Sequence, residues 1–245
     1  MPIEARKNIP NLVTLLSLAC ACWAIILIME GQLFLAGTLL LATTLMDGLD
    51  GALARHLNVS SELGLQLDSL ADVVCFGVGP AILMIQYLRG TPVPWPLAIF
   101  SGLIFLLSGA FRLARFNVMA PIKTNPDSTG LPITGAGGLL VLLIYLNYQH
   151  GPLTILPEWL PFIAIALSLL MVSRIPFLSK SSNRKLTMAG MLFFVFLALC
   201  YNFPIAALIV MSAHLSHGLV RASYGQWRRW RRRHKTMPAL PEQQT

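Results

Sequence analysis

Charge is what this chain has least of. Charged residues make up 11% of its 245 positions, where a soluble domain carries about 25%. So little solvating surface excludes an ordinary water-soluble enzyme, a coiled coil and a disordered chain. Cysteine is scarce and badly placed for cross-linking. Cys20, Cys22, Cys75 and Cys200 all sit inside apolar runs with no CxxC pair, which excludes a disulfide scaffold and leaves small buried hydrophobes. No internal repeat is visible. Acidic residues are the rarest charged class, ten in all against 18 Lys and Arg, and only five of them are aspartates.

Apolar residues fill the space that charge leaves. They reach 56% of the chain, and mean hydropathy is +0.68. These values point to a membrane protein, one compact domain that crosses the bilayer several times. Eight apolar segments can be read, near 12–29, 33–56, 64–88, 95–116, 131–149, 159–174, 187–201 and 203–224. A helix needs about 20 residues to span the hydrocarbon core, and the sixth and seventh segments are short, so the count is seven or eight. The expected fold is an all-α polytopic bundle over residues 1–225, with a basic, disordered tail over 226–245. The first segment is too long for a signal peptide, no small-residue cleavage site follows it, and Ser17 stands where a lipoprotein signal needs leucine.

The breaks between segments carry turn chemistry. Glu30-Gly31-Gln32 reads as a tight turn, Thr91-Pro92-Val93-Pro94 and Gly151-Pro152 as loops, and 121–130 and 179–185 as polar loops. With eight spans and a cytoplasmic N-terminus, 17 of the 18 basic residues fall on the cytoplasmic side and only Arg89 on the other. That asymmetry is what the positive-inside rule requires, and it favours an even number of spans.

Four of the five aspartates, Asp47, Asp50, Asp68 and Asp72, lie within 26 residues and flank the turn between the second and third segments. Asp47 and Asp50 share one helical face, and so do Asp68 and Asp72. Their distances from a turn centred near Val59 and Ser60 are nearly matched, so an antiparallel hairpin brings all four to one depth. An acid at the centre of a membrane helix costs about 2.5–3.5 kcal/mol, so four cost roughly 10–14 kcal/mol before repulsion. A position near the interface lowers this, but the charge still needs neutralising, and Arg55 supplies one positive charge at most. Hard divalent cations, Mg²⁺ or Mn²⁺, are the natural partners of oxygen ligands. Two such ions about 3.5–4 Å apart would bridge four carboxylates and leave positions for phosphate oxygens. The plainer alternative is a solvated helix-turn end with scattered acids. Gly48, Gly51, Ala52, Ala54 and Gly64 stand among the acids and let a bulky ligand approach the backbone, or two helices pack closely.

Residues 47–72 read DGLDGALARHLNVSSELGLQLDSLAD. This fits DxxDGxxAR(x8)GxxxDxxxD at every specified position and resembles the signature of the CDP-alcohol phosphatidyltransferase family. Further stretches resemble the serine-transferring branch of that family: residues 9–14 (IPNLVT), 67–77 (LDSLADVVCFG), 111–117 (FRLARFN), 130–132 (GLP) and 173–176 (SRIP). Two departures are visible, Cys75 in place of an expected serine and Thr134 in place of the second proline of GLPxP.

The resemblance implies a membrane-embedded homodimer that transfers a phosphatidyl group from CDP-diacylglycerol to the hydroxyl of L-serine, releasing CMP. It implies that Asp47, Asp50, Asp68 and Asp72 hold two Mg²⁺ or Mn²⁺ ions. Asp68 and Asp72 then carry catalysis, with Asp72 as general base, although a metal ligand is not a free base at the same instant. Gly51, Ala54 and Gly64 make room for the nucleotide, and Arg55 pairs with an acid or a phosphate. Arg112 and Arg115, three apart on the fourth segment, with Asn117 beyond, suit a carboxylate or phosphate. Positive-inside anchoring is the alternative for that pair.

The rival readings are the same transfer to glycerol phosphate, inositol phosphate or choline, a cation transporter, and a catalytically silent scaffold. A transporter would spread its acids along several spans, whereas here they bracket one turn. A scaffold would be expected to lack a motif aspartate, and none is missing. His214 and His217 read as polar helix contacts rather than a metal pair. Residues 228–235, with Trp227 and Trp230, read as an interfacial anchor worth about 1 kcal/mol per basic residue near an anionic leaflet, and not as a nucleic-acid arm.

The charge asymmetry predicts sidedness: plasma or inner membrane, with both termini and the acidic turn in the cytoplasm. In a variant lacking the four native cysteines, Ser61→Cys should be shielded from a membrane-impermeant thiol reagent in intact cells and label once the membrane is opened. Thr91→Cys, beside Arg89, should label in both conditions. Labelling of position 61 in intact cells would invert the topology.

Overall fold

The computed structural model describes residues 3–57, 61–119, 128–150, 157–174 and 176–178. The seventh and eighth apolar segments, Cys200, His214, His217, the basic stretch 228–235 and the tail lie outside the described residues. So do the midpoint of the acidic turn and most of the 121–130 loop.

Seven α-helices account for nearly all the described structure: α1 (Ile3–Met29), α2 (Leu33–Leu57), α3 (Glu62–Asp72), α4 (Gly79–Leu88), α5 (Trp95–Met119), α6 (Ile133–His150) and α7 (Leu160–Val172). Helices α3 and α4 are two parts of one rod, joined by a π-helical segment over Val73–Val78. Four rods are long and apolar enough to cross a membrane: Ile9–Met29, Leu33–Gly51, Glu62–Leu88 and Trp95–Met119. Two shorter apolar helices, Ile133–Tyr148 and Pro157–Val172, match the fifth and sixth segments. The chain is thus an integral, polytopic helical membrane protein. Its only strands among the described residues are β1 (Ser128–Thr129) and β2 (Pro176–Leu178), a short antiparallel ribbon.

Local sequence explains the joints. Helix α1 ends at Gly31, whose φ of 79° is the left-handed conformation that glycine adopts freely. The Gln32 N–H donates to Leu27 O at 2.9 Å and the Gly31 N–H to Ile28 O at 3.0 Å, which together make a Schellman cap. Helix α3 starts at Ser61, whose hydroxyl accepts from the Gly64 N–H at 3.0 Å, so the acidic hairpin's second arm carries a side-chain cap. The π segment lies just before Pro80, which has no N–H to donate. The Gly79 N–H reaches back five residues to Val74 O, and the extra residue per turn turns the rod above Asp72 relative to the rod below it.

The interior is a single apolar cluster. Phe76, Leu83, Met84, Phe105, Leu140, Ile144 and Leu160 are fully buried within it. Leu12, Trp23, Leu107, Phe111 and Leu169 point outward, as expected of side chains solvated by lipid tails. Aromatic residues gather at the end of the bundle away from the acids. Phe34 stacks on Tyr145 with centroids 4.9 Å apart, and the Arg89 guanidinium lies 5.4 Å from the Trp95 ring centre. These rings have the character of an interfacial belt.

Helix α6 packs against the π segment through Gly137. A Cβ at this position would collide with the Phe76 carbonyl and lie 2.8 Å from Phe76 Cα, whereas one at Gly135 would meet nothing within 4 Å. Gly137→Ala should therefore destabilise the fold by about 1–3 kcal/mol. Gly135→Ala should be neutral or stabilise by up to about 1 kcal/mol through helix propensity. Thermal unfolding of the two variants in detergent compares them; equal midpoints would mean that α6 does not pack closely here.

Candidate active site

Helices α2 and α3 form the hairpin that carries the acids. Asp47 and Asp50 sit on the last turns of α2, Asp68 and Asp72 on α3. The structure brings together Asp47, Asp50 and Asp68, each offering a carboxylate oxygen within 4.8 Å of the others. Asp72 stands beside this trio, its carboxyl group close to that of Asp47. Asp50 is buried at 5% exposure. All the donors are carboxylate oxygens, a set that suits a hard cation. Three such groups held this close and partly dehydrated repel one another strongly unless a cation or proton lies among them.

The surrounding helices supply the polar neighbours. Helix α1 is almost wholly apolar from Ile9 to Met29, except for Asn11, Thr14 and Ser17, three residues apart in turn. Each meets the hairpin rod. The Thr14 hydroxyl donates to Asp50 Oδ2 at 2.9 Å. Ser17 Oγ lies 3.6 Å from Cys75 Sγ. The Asn11 side chain lies over Gly64, where a Cβ would be 2.8 Å from its Oδ1. Cys75, the first departure from the family pattern, is thus a buried thiol packed on a serine. Thr134, the second, lies in the first turn of α6, which starts regularly at Ile133.

Helix α5 carries Arg112, Arg115 and Asn117, and the three residues have different surroundings. Arg112 is buried at 8% exposure, interacts electrostatically with Asp72, and has no hydrogen-bond partner for its Nε among the described residues. Its guanidinium lies 5.7 Å from the Phe116 ring centre. Arg115 turns away to the end of α7, where it donates to Val172 O at 2.8 Å, Ser173 O at 3.1 Å and Met171 O at 3.4 Å. Asn117 Nδ2 donates to Ser69 Oγ at 2.9 Å and ties α5 to α3.

The Arg115 contact joins three stretches that are far apart in sequence. Gly130, at φ 86°, lies against the Met171 and Ser173 carbonyls and the Arg115 guanidinium. The Leu131 N–H donates to Leu170 O at 3.1 Å. The ribbon pairs Ser128 with Leu178 and Thr129 with Pro176 just beyond. The FRLARFN, GLP and SRIP stretches therefore meet in one knot at the C-terminal end of α7. Of the remaining candidates, Gly51 lies on α2 between Asp50 and Ala52. Ala54 and Arg55 lie on its final turn, with side chains outside the described residues. Gly64 has the Asn11 amide and the Ser61 hydroxyl where a side chain would stand.

Sequence reasoning assigned no role to the polar stripe on α1. The signal was present: three hydrogen-bonding residues at a spacing of three in an apolar helix, two of them, Asn11 and Thr14, within the IPNLVT stretch.

An acidic hairpin with a buried guanidinium beside it can take a hard cation together with an anionic group such as a phosphate. Residues 7–172 match the CDP-alcohol phosphatidyltransferase family, and the chain belongs to that family. It is 34% identical over 224 residues to a CDP-diacylglycerol–serine O-phosphatidyltransferase of Helicobacter pylori, covering 90% of this chain and 93% of that protein. It is 33% identical over 169 residues to the Bacillus subtilis protein of the same name, covering 69% and 89% of the two chains. An archaetidylserine synthase of Methanothermobacter thermautotrophicus is 35% identical over 172 residues, 69% of each chain.

The three carbonyls bound by Arg115 would lose a charge-assisted donor in Arg115→Ala. Hydrogen bonds to charged groups contribute about 1.5–3 kcal/mol, and the partial exposure of this contact puts the expected loss near the lower value. The thermal midpoint should fall accordingly. An unchanged midpoint would show that the knot holds without its arginine.

Proposed function

We propose that this protein transfers a phosphatidyl group from CDP-diacylglycerol to the hydroxyl of L-serine, giving phosphatidylserine and CMP. The observation that carries the reading is the trio of Asp47, Asp50 and Asp68 with Asp72 and the buried Arg112 alongside, in a chain that belongs to the CDP-alcohol phosphatidyltransferase family. Serine as acceptor is supported by the names of the relatives, which differ in the lipid and share serine.

Each residue has a task in this reading. Asp47, Asp50 and Asp68, with Asp72 at their edge, hold Mg²⁺ or Mn²⁺, two ions by family resemblance. When bound, such ions supply positive charge to the pyrophosphate and stabilise the charge that develops as CMP departs. Asp68 thus serves catalysis as a ligand. Asp72 stands outside the closest trio, which favours it as the base that takes the serine hydroxyl proton. The serine oxygen forms the new bond to phosphorus as the bond to the CMP oxygen breaks, so no ATP is needed. Arg112 offers its guanidinium to the serine carboxylate. Arg115 shapes the same wall by holding α7, and Asn117 does so by holding α3. Gly51 and Ala54 keep the α2 backbone open to the nucleotide, Gly64 admits Asn11 close to it, and Arg55 pairs with a phosphate or an acid. The site opens to the cytoplasm, and the working unit is a homodimer in the plasma or inner membrane.

Purified protein with CDP-diacylglycerol, Mn²⁺ or Mg²⁺ and a panel of alcohols tests this through CMP release. L-serine should support release, while glycerol phosphate, inositol phosphate and choline should not. Asp68→Asn should abolish it with the fold retained. Arg112→Ala should raise the serine KM roughly 10- to 150-fold, the equivalent of about 1.5–3 kcal/mol, with little effect on CDP-diacylglycerol. Release with glycerol phosphate at the serine rate, or full activity of Asp68→Asn at saturating Mn²⁺, would overturn the assignment.

A further inference from the structure

We propose that Thr14 is a positioning residue for the acidic site, orienting the Asp50 carboxylate toward the bound cation; this rests on the reading of the aspartates as cation ligands. Thr14 and Asp50 are 36 residues apart, on different helices, and both are buried, at 6% and 5% exposure. The Thr14 hydroxyl lies 2.9 Å from Asp50 Oδ2 and 3.1 Å from the Pro10 carbonyl. It has one proton. In an α-helix the Pro10 carbonyl already receives the backbone N–H of Thr14, and a carboxylate is the stronger acceptor. The proton therefore belongs to Asp50. With Oδ2 accepting from Thr14, rotation of the carboxylate is restricted while it presents an oxygen within 4.8 Å of those of Asp47 and Asp68. Partners that orient a ligating carboxylate in this way typically change metal affinity or activity 10- to 100-fold when removed.

The role is specific to the hydroxyl. Valine has the shape of threonine without the donor, and serine keeps the donor without the methyl group. The test is a titration of Mn²⁺ into the purified full-length protein in detergent, with free Mn²⁺ read by electron paramagnetic resonance and thermal midpoints measured on the same samples. Thr14→Val should raise the Mn²⁺ dissociation constant about 10- to 100-fold while Thr14→Ser keeps wild-type binding. The Mn²⁺ concentration needed for half-maximal CMP release should shift in parallel. Wild-type Mn²⁺ binding by Thr14→Val would overturn the proposal. So would equal weakening in both variants that tracks a fall in thermal midpoint, since that is a packing effect. Asp50→Asn separates the two levels: if it binds Mn²⁺ as the wild type does, the reading of the acids as ligands fails, and the role of Thr14 fails with it.

Discussion

Several carboxylates held together inside a membrane protein are the constraint on which the rest of this structure depends. An isolated acid in hydrocarbon is costly, and neighbouring acids compound the cost by repulsion. The oxygens of Asp47, Asp50 and Asp68 nevertheless lie within 4.8 Å of one another. Such an arrangement persists only if the scaffold holds the carboxylates from outside and a cation or protons meet them from inside. Much of the architecture supplies the first. Ser61 caps the arm that carries Asp68 and Asp72, α1 lays its few polar side chains along the hairpin, and Asn117 fastens α5 to Ser69. The second is the cation that the proposed reaction requires.

The bundle also separates two kinds of chemistry along its length. Trp95, Arg89, Phe34 and Tyr145 interact at one end. The acids, Arg112 and the α7 knot occupy the other. This polarity follows from alternating helix direction, because each short turn returns the chain to the opposite end. The proposed transfer from a membrane-anchored nucleotide lipid to a water-soluble acceptor needs such an arrangement, with the phosphates near an interface and the acyl chains in the bilayer.

How much of this was legible in the sequence depended on how local the cause was. The acidic hairpin was legible because charge is so rare here that four matched aspartates stand out, and helical periodicity alone places them. The Gly31 turn was legible because its cause lies within five residues. Arg112 and Arg115 were read as one pair, since a spacing of three cannot tell which neighbouring helix each one faces. Only the packing of α7 against α5 separates a buried guanidinium beside Asp72 from one that caps carbonyls. The π segment was invisible because the apolar run continues through it. The GLP and SRIP stretches were recognised one by one, but their meeting at Gly130 and Ser173 depends on a contact between distant segments.

In the proposed mechanism the trio of aspartates on α2 and α3 is a cation site. Anomalous diffraction at the manganese edge, from crystals grown with Mn²⁺, tests it most directly. A strong peak is expected, bounded by the carboxylates of Asp47, Asp50 and Asp68, with Asp72 at its edge. A well-ordered acidic hairpin with no peak there, or with manganese bound elsewhere in the bundle, would contradict it.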